Sequence, residues 1–147
     1  MMRARVLIVD DDQQYLDGVR EWLDGAGYET SVASTFEDAK RAIETSPPHL
    51  VLLDIRLGAF NGLQLMISTG RVRRIPAIVI TGFDDPVLRA DAASFGARYL
   101  VKPVVPRELL TNIQELLANA AAESTGLATP PGPSGAQPLS IGKELRG

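Results

Sequence analysis

Short runs of apolar residues alternate with longer stretches in which apolar positions recur every three or four residues, and the alternation repeats five times. Val6–Val9, Leu50–Leu53, Ala77–Ile80 and Tyr99–Val101 are continuous apolar runs of strand length, the signature of strands covered on both faces of a parallel sheet. Tyr28-Glu29-Thr30-Ser31-Val32 alternates instead, which predicts a less buried strand at an edge. Between the strands, Leu16, Val19, Leu23 and Ala26 mark a first helix that Gly27 stops. Phe36, Ala39 and Ile43 mark a second, with Thr35 as its cap and Pro47-Pro48 beyond its end. Leu63, Met66 and Ile67 mark a short third helix. Leu88, Ala92 and Phe95 mark a fourth, with Asp84 or Asp85 as cap, Pro86 in the first turn and Gly96 at the end. Leu109, Leu110, Ile113, Leu116, Leu117 and Ala120 mark a fifth.

Five strand–helix units in series predict an α/β fold, a (βα)5 parallel sheet in a three-layer sandwich, because each right-handed crossover lays its helix on the sheet. The pattern ends near residue 122. Beyond it, Pro130, Pro131, Pro133 and Pro138 are interspersed with Gly126, Gly132 and Gly135 and few apolar residues. The expected division is therefore one domain over residues 1–122 and a flexible Pro/Gly-rich tail or linker over 123–147.

Composition narrows the class. At 147 residues and 45% hydrophobic content the chain supports one core. No apolar run reaches the eighteen or so residues of a membrane span, and the first residues carry no small-residue cleavage site, so a cytoplasmic protein is expected. The absence of cysteine removes disulfides, thiolate nucleophiles and cysteine-based zinc sites. A net charge of −3 speaks against nonspecific binding to nucleic acid. The short cluster Arg71, Arg73 and Arg74 reads as the cationic last turn of a helix.

In an open parallel sheet, ligands gather at the carboxyl ends of the strands. The first strand ends in Asp10-Asp11-Asp12, the third in Asp54, the fourth in Thr81-Gly82 and the fifth in Lys102-Pro103. Carboxylates from two neighbouring strands repel unless a cation joins them, and hard cations such as Mg²⁺ (or Mn²⁺) bind through one or two carboxylates and a phosphate oxygen. Asp12 fits helix capping equally well. A carboxylate in the position of Asp54 is a competent nucleophile toward an activated phosphoryl group, with Lys102 and Thr81 as partners for the phosphoryl oxygens.

These stretches resemble the receiver domain of two-component response regulators, of the chemotaxis-regulator type, over about residues 4–121. The resemblance rests on Val6–Asp12, Leu52–Leu57, Asn61-Gly62, Ile80–Gly82 and Gly96–Pro103, in matching order and approximate spacing. It implies a doubly wound, flavodoxin-like sheet of strand order 2-1-3-4-5. It also implies that Asp54 is the phosphoacceptor, that Asp11 ligates the metal directly and Asp10 through water, and that the Arg56 backbone carbonyl completes the protein ligands. Thr81 and Lys102 would bind the phosphoryl group, and Lys102-Pro103 would carry a cis bond. Thr81 and Tyr99 would be the switch pair, although Tyr99 serves equally as a packing aromatic. Arg56 and Phe83 fall where the family tunes dephosphorylation. One departure is evident: Gly58-Ala59-Phe60 stands where the family commonly has Pro-Gly, which leaves that loop looser.

Other readings fit less well. A haloacid-dehalogenase-type phosphatase needs an acid two residues after the nucleophile, where this chain has Arg56. A flavodoxin-like cofactor site would meet repulsion from Asp10-Asp11-Asp12. His49, the lone histidine, precedes the third strand roughly 16 Å from Asp54 at about 3.3 Å per residue, too far to take part. A receiver-shaped interaction module acting without phosphorylation stays open as the alternative.

The chain is thus expected to be a switch rather than an enzyme with a separate substrate, catalysing only its own phosphoryl transfer and dephosphorylation. The expected donor is a sensor histidine kinase or phosphotransfer protein. With no helix-turn-helix in the sequence, no direct DNA binding and no membrane contact are expected. The signal would pass to a downstream protein target through the fourth and fifth helices and the fifth strand, a surface that also suits a homodimer.

Overall fold

The computed structural model describes residues 3–54, 56–57, 60–61, 64–66 and 75–124, and among them seven strands and four helices have both ends described. They follow in the order β1 (Arg5–Val9), α1 (Gln13–Gly25), β2 (Glu29–Ala33), α2 (Phe36–Thr45), β3 (Leu50–Asp54), β4 (Arg56–Leu57), β5 (Phe60–Asn61), β6 (Ala77–Thr81), α3 (Pro86–Ser94), β7 (Arg98–Val101) and α4 (Pro106–Ser124). The expected short third helix is represented by residues 64–66, which are helical. Ile67 and Arg71, Arg73 and Arg74 lie outside the described residues, as do Gly58-Ala59 and the tail from residue 125.

The main sheet is parallel throughout, in the order β2-β1-β3-β6-β7. Counting only its own strands this is 2-1-3-4-5, and the α/β fold is as expected. The three central strands are apolar because helices cover both of their faces. Leu7, Val9, Val51, Leu53, Ala77 and Val79 pack with Ala39 and Ile43 of α2 and Ala92 of α3. The alternate residues Ile8, Leu52 and Ile80 point to the opposite face, where they line a small cavity with Val19 and Tyr15 of α1. β2 is the exposed edge that its alternation predicts. β7 is half-buried along its length, against the expectation of a fully covered strand, because it forms the other edge.

Local signals act where the sequence puts them. Asp12 caps α1, its side chain accepting from the N–H groups of Gln14 and Tyr15, and Thr35 caps α2 by accepting from Asp38 N–H. Of the two candidates for α3 the cap is Asp85, which accepts from Val87 N–H ahead of Pro86. Asp84 instead pairs with Arg89 at 3.0 Å. Gly27 and Gly96, which follow α1 and α3, have φ of 95° and 76°, angles that side chains with a Cβ rarely adopt. Phe95 was expected on the buried stripe of α3, but it is the C-cap residue and 44% exposed.

The sequence pattern gave no sign of β4 and β5, which pair antiparallel, Arg56 with Asn61 and Leu57 with Phe60, immediately beyond the end of β3. The chain divides into Met1–Gln114 and Glu115–Gly147, and the described part of the second unit is the helical continuation of α4. Among the described residues no helix is long and apolar enough to cross a membrane.

Candidate functional site

Period-2 alternation decides which side of the sheet each strand-end residue takes. Asp10 follows Ile8 and Asp54 follows Leu52 at even spacing, so both carboxylates leave the sheet on the α1 side. The in-register pairing of β1 with β3 sets their ends next to each other. Asp10, Asp11 and Asp54 each offer a carboxylate oxygen, and these oxygens all lie within 4.8 Å of one another. Asp10 is buried, Asp54 is half-buried and Asp11 is exposed.

Asp10 is the most constrained of the three. Its Oδ1 accepts from Asp12 N–H at 2.9 Å, and its Oδ2 lies 3.3 Å from Lys102 Nζ. Both oxygens are therefore partnered within the protein, an arrangement suited to a carboxylate that reaches a cation through water. Lys102 arrives from the end of β7, where its N–H donates to Thr81 O at 2.7 Å and joins the ends of β6 and β7. The Lys102–Pro103 bond is cis. Lys102 Nζ stands 4.0 Å from Asp54 Oδ2, close enough for strong attraction and just beyond a hydrogen bond. Lys102 thus faces both Asp10 and Asp54, and the hard, all-oxygen donor set of the three carboxylates fits a divalent cation such as Mg²⁺.

Thr81 is buried at the end of β6. Its Oγ1 accepts from Phe83 N–H and lies within donor reach of Phe83 O, both at 3.2 Å, so the hydroxyl is engaged with the following loop. Tyr99 is tied to the same loop: its hydroxyl accepts from Asp85 N–H at 3.1 Å, and Arg89 lies over its ring at 4.5 Å. Arg56 lies two residues past Asp54, in β4. Phe83 is 64% exposed at the outer side of the loop. His49 is at the far end of β3, where its Nδ1 accepts from Arg5 N–H at 2.9 Å and its own N–H donates to Arg5 O. Its role is to join β1 and β3.

Sequence reasoning overlooked Tyr15. Lys102 Nζ sits over the Tyr15 ring, 4.0 Å from its centroid. The Tyr15 hydroxyl is buried with no hydrogen-bond partner among the described residues. Burial first, and then the charges of Asp10 and Asp54, push its pKa up to about 12, so the phenol stays protonated at any physiological pH. The available signal was an aromatic in the first turn of α1, one position off the Leu16–Val19–Leu23 stripe and three residues after an acidic strand end.

A family model described as the response regulator receiver domain matches residues 6–114. Among curated relatives, the transcriptional regulatory protein AruR of Pseudomonas aeruginosa is 34% identical over 79% of this chain and 50% of its own length. The DNA-binding response regulator MtrA of Mycobacterium tuberculosis is 32% identical over 79% of this chain and 51% of its own. Among solved structures, a CheY-like response regulator receiver domain protein from Methanospirillum hungatei JF-1 matches with a TM-score of 0.79 and 34% identity, over 83% of this chain and 99% of that one. The chain thus spans about half the length of these curated relatives.

The MtrA match overturns the expectation of no direct DNA binding, and with it the partner set built on that exclusion. That expectation rested on net charge and on the lack of a DNA-reading motif within these 147 residues. Both describe the receiver segment alone, whereas a relative bearing the same segment at half its length is named for binding DNA.

Proposed function

The chain belongs to the response regulator receiver domain family of two-component systems, and from that premise we propose that Asp54 accepts a phosphoryl group and that its phosphorylation switches the domain between two conformations. The observation that carries this reading is the convergence of Asp10, Asp11 and Asp54 within 4.8 Å, with Lys102 Nζ reaching both Asp10 and Asp54.

The chemistry is one exchange of bonds. An Asp54 carboxylate oxygen attacks phosphorus in line with the leaving group and an O–P bond forms. The N–P bond of a histidine kinase's phosphohistidine breaks, and the electron pair returns to the imidazole nitrogen. Held by Asp11, Asp54 and the Arg56 carbonyl, with Asp10 acting through water, a divalent cation when bound would offset the charge on the phosphoryl oxygens. Lys102 supplies a second positive charge, 4.0 Å from Asp54 Oδ2. Asp10 keeps that ammonium at the site, and its own position is fixed by the Asp12 N–H. Thr81 would donate its hydroxyl to a phosphoryl oxygen, which requires it to leave Phe83.

That requirement links the site to a surface. Thr81 and Tyr99 share the loop from Phe83 to Asp85, so drawing Thr81 inward moves the segment that holds the Tyr99 hydroxyl. The surface that changes is formed by α3, β7 and the first turns of α4, where Phe83, Val87 and Val105 are more than half exposed. Phosphorylation then acts as a population shift. The domain is a switch that catalyses its own transfer and dephosphorylation.

Intact mass after treatment with acetyl phosphate and Mg²⁺ tests the reading. The wild type is expected to gain one phosphoryl group, and the gain to vanish in Asp54→Ala or with chelator. No gain from acetyl phosphate or from any of a panel of histidine kinases would leave the domain as an interaction module that acts without phosphorylation.

A further inference from the structure

We propose that Tyr15 is a positioning residue of this site: its ring face seats the Lys102 ammonium beside the Asp10 carboxylate. The inference rests on the phosphoacceptor reading for its purpose, but the seat itself is a matter of geometry. The ammonium has three N–H donors. One points to Asp10 Oδ2 at 3.3 Å, and the Tyr15 ring faces the ammonium with its centroid 4.0 Å from Nζ. Asp54 Oδ2, at 4.0 Å, lies just outside hydrogen-bond reach.

Asp10 and Asp54 both attract the Lys102 ammonium, so the point at which it rests depends on what else holds it. An aromatic face supplies such a hold without adding charge. Its quadrupole attracts the cation, and together with the Asp10 carboxylate it keeps Lys102 close enough to meet incoming phosphoryl oxygens. The seat is itself firmly placed. Tyr15 lies in the first turn of α1, where its N–H donates to Asp12 Oδ1 at 3.3 Å, and it lines the cavity between α1 and the sheet with Ile8, Leu52 and Ile80. The Asp10-Asp11-Asp12 triplet therefore contributes twice, by offering carboxylates and by fixing the helix turn that aims the ring.

The test compares the wild type with Tyr15→Phe and Tyr15→Leu, with Tyr15→Met in place of leucine if leucine prevents folding. Lysine occurs only at 40, 102 and 143, so ¹³C-lysine labelling gives a short spectrum in which Lys102 is readily assigned. In metal-free protein the Lys102 ε-CH2 protons are expected to be shifted upfield by the ring in the wild type and in Tyr15→Phe. In Tyr15→Leu they should return to the position of an ordinary lysine. Phosphoryl uptake from acetyl phosphate with Mg²⁺ is expected to slow roughly threefold to thirtyfold in Tyr15→Leu, to recover in Tyr15→Phe, and to be unaffected by Tyr15→Leu once Lys102 is already Met.

A Lys102 shift unchanged by Tyr15→Leu overturns the seat. An equal loss of rate in the Lys102→Met background would make Tyr15 ordinary packing and overturn its positioning role. If the wild type takes up no phosphoryl group at all, the phosphoacceptor reading fails, and the ring shift alone still decides whether Tyr15 seats Lys102.

Discussion

Asp10 and Lys102 show how far a single charge pair constrains this site. Asp10 is only 2% exposed, and the Lys102 ammonium lies 3.3 Å from its carboxylate. Removing one member of such a pair leaves an uncompensated charge away from water. Lys102→Met is therefore expected to lower the stability of metal-free protein by about 1–3 kcal/mol, less than for a fully buried pair because Lys102 is partly exposed. Mg²⁺ is expected to restore part of the loss, as checked by urea unfolding with and without the metal. Tyr15 gives a second prediction at this scale. Its folded pKa of about 12 lies above the ordinary 10, so the folded state holds the phenolic proton more tightly than the unfolded chain does. Its contribution to stability is then complete below pH 10 and lost as pH rises through about 12. Ultraviolet titration of chelated protein is expected to show one of the three tyrosines ionising last, and Tyr15→Phe to remove that step.

Among the elements, α1 couples folding to the site most directly. Its cap, Asp12, follows the two acidic residues of the site and binds the N–H groups of Gln14 and Tyr15. Asp12→Ala is expected to destabilise the domain by about 1 kcal/mol, the usual cost of losing an N-cap, as measured by chemical denaturation. Thr35 is a useful control, because it caps α2 in the same way but stands at no acidic site. Thr35→Ala should cost a similar amount and leave the rate of phosphoryl uptake unchanged, whereas Asp12→Ala should also slow uptake by loosening the turn that carries Tyr15. The alternation in β2 and the helix signals were readable because each reports on its own few residues. The β4–β5 pair was not readable, since two-residue strands leave no period to detect.

For the whole molecule, a cation held by the acidic cluster would be linked to folding. A ligand that binds only the folded state adds stability by mass action, about 2.7 kcal/mol at a concentration a hundredfold above its dissociation constant. The melting temperature is therefore expected to climb with Mg²⁺ and to fall back with chelator, and Asp11→Asn is expected to flatten the response. Calorimetry across a metal titration checks this, and a melting curve indifferent to Mg²⁺ would count against the acidic cluster as a cation site. The same scale sets the reach of the DNA correction: the chain spans about half the length of AruR or MtrA, so the charge and motifs of this segment do not speak for the whole of either relative.

The sequence by itself determined the α/β class, the strand at one edge, the helix caps and the order in which acidic, hydroxyl and lysine residues end their strands, because periodicity and capping act over a few neighbouring positions. Its likeness to receiver domains then supplied the roles expected of Asp10, Asp11, Asp54, Thr81 and Lys102. Only the tertiary structure decided that Thr81 is engaged with Phe83, and that Lys102 lies against Asp10 and Tyr15 rather than on Asp54. Tyr15 and Lys102 are far apart along the chain, and no local pattern records a contact that exists only after α1 has packed on the sheet. The physical reason is that backbone alternation sets which face a side chain takes, while the balance of several charges and an aromatic ring at one strand edge sets where its last atom comes to rest.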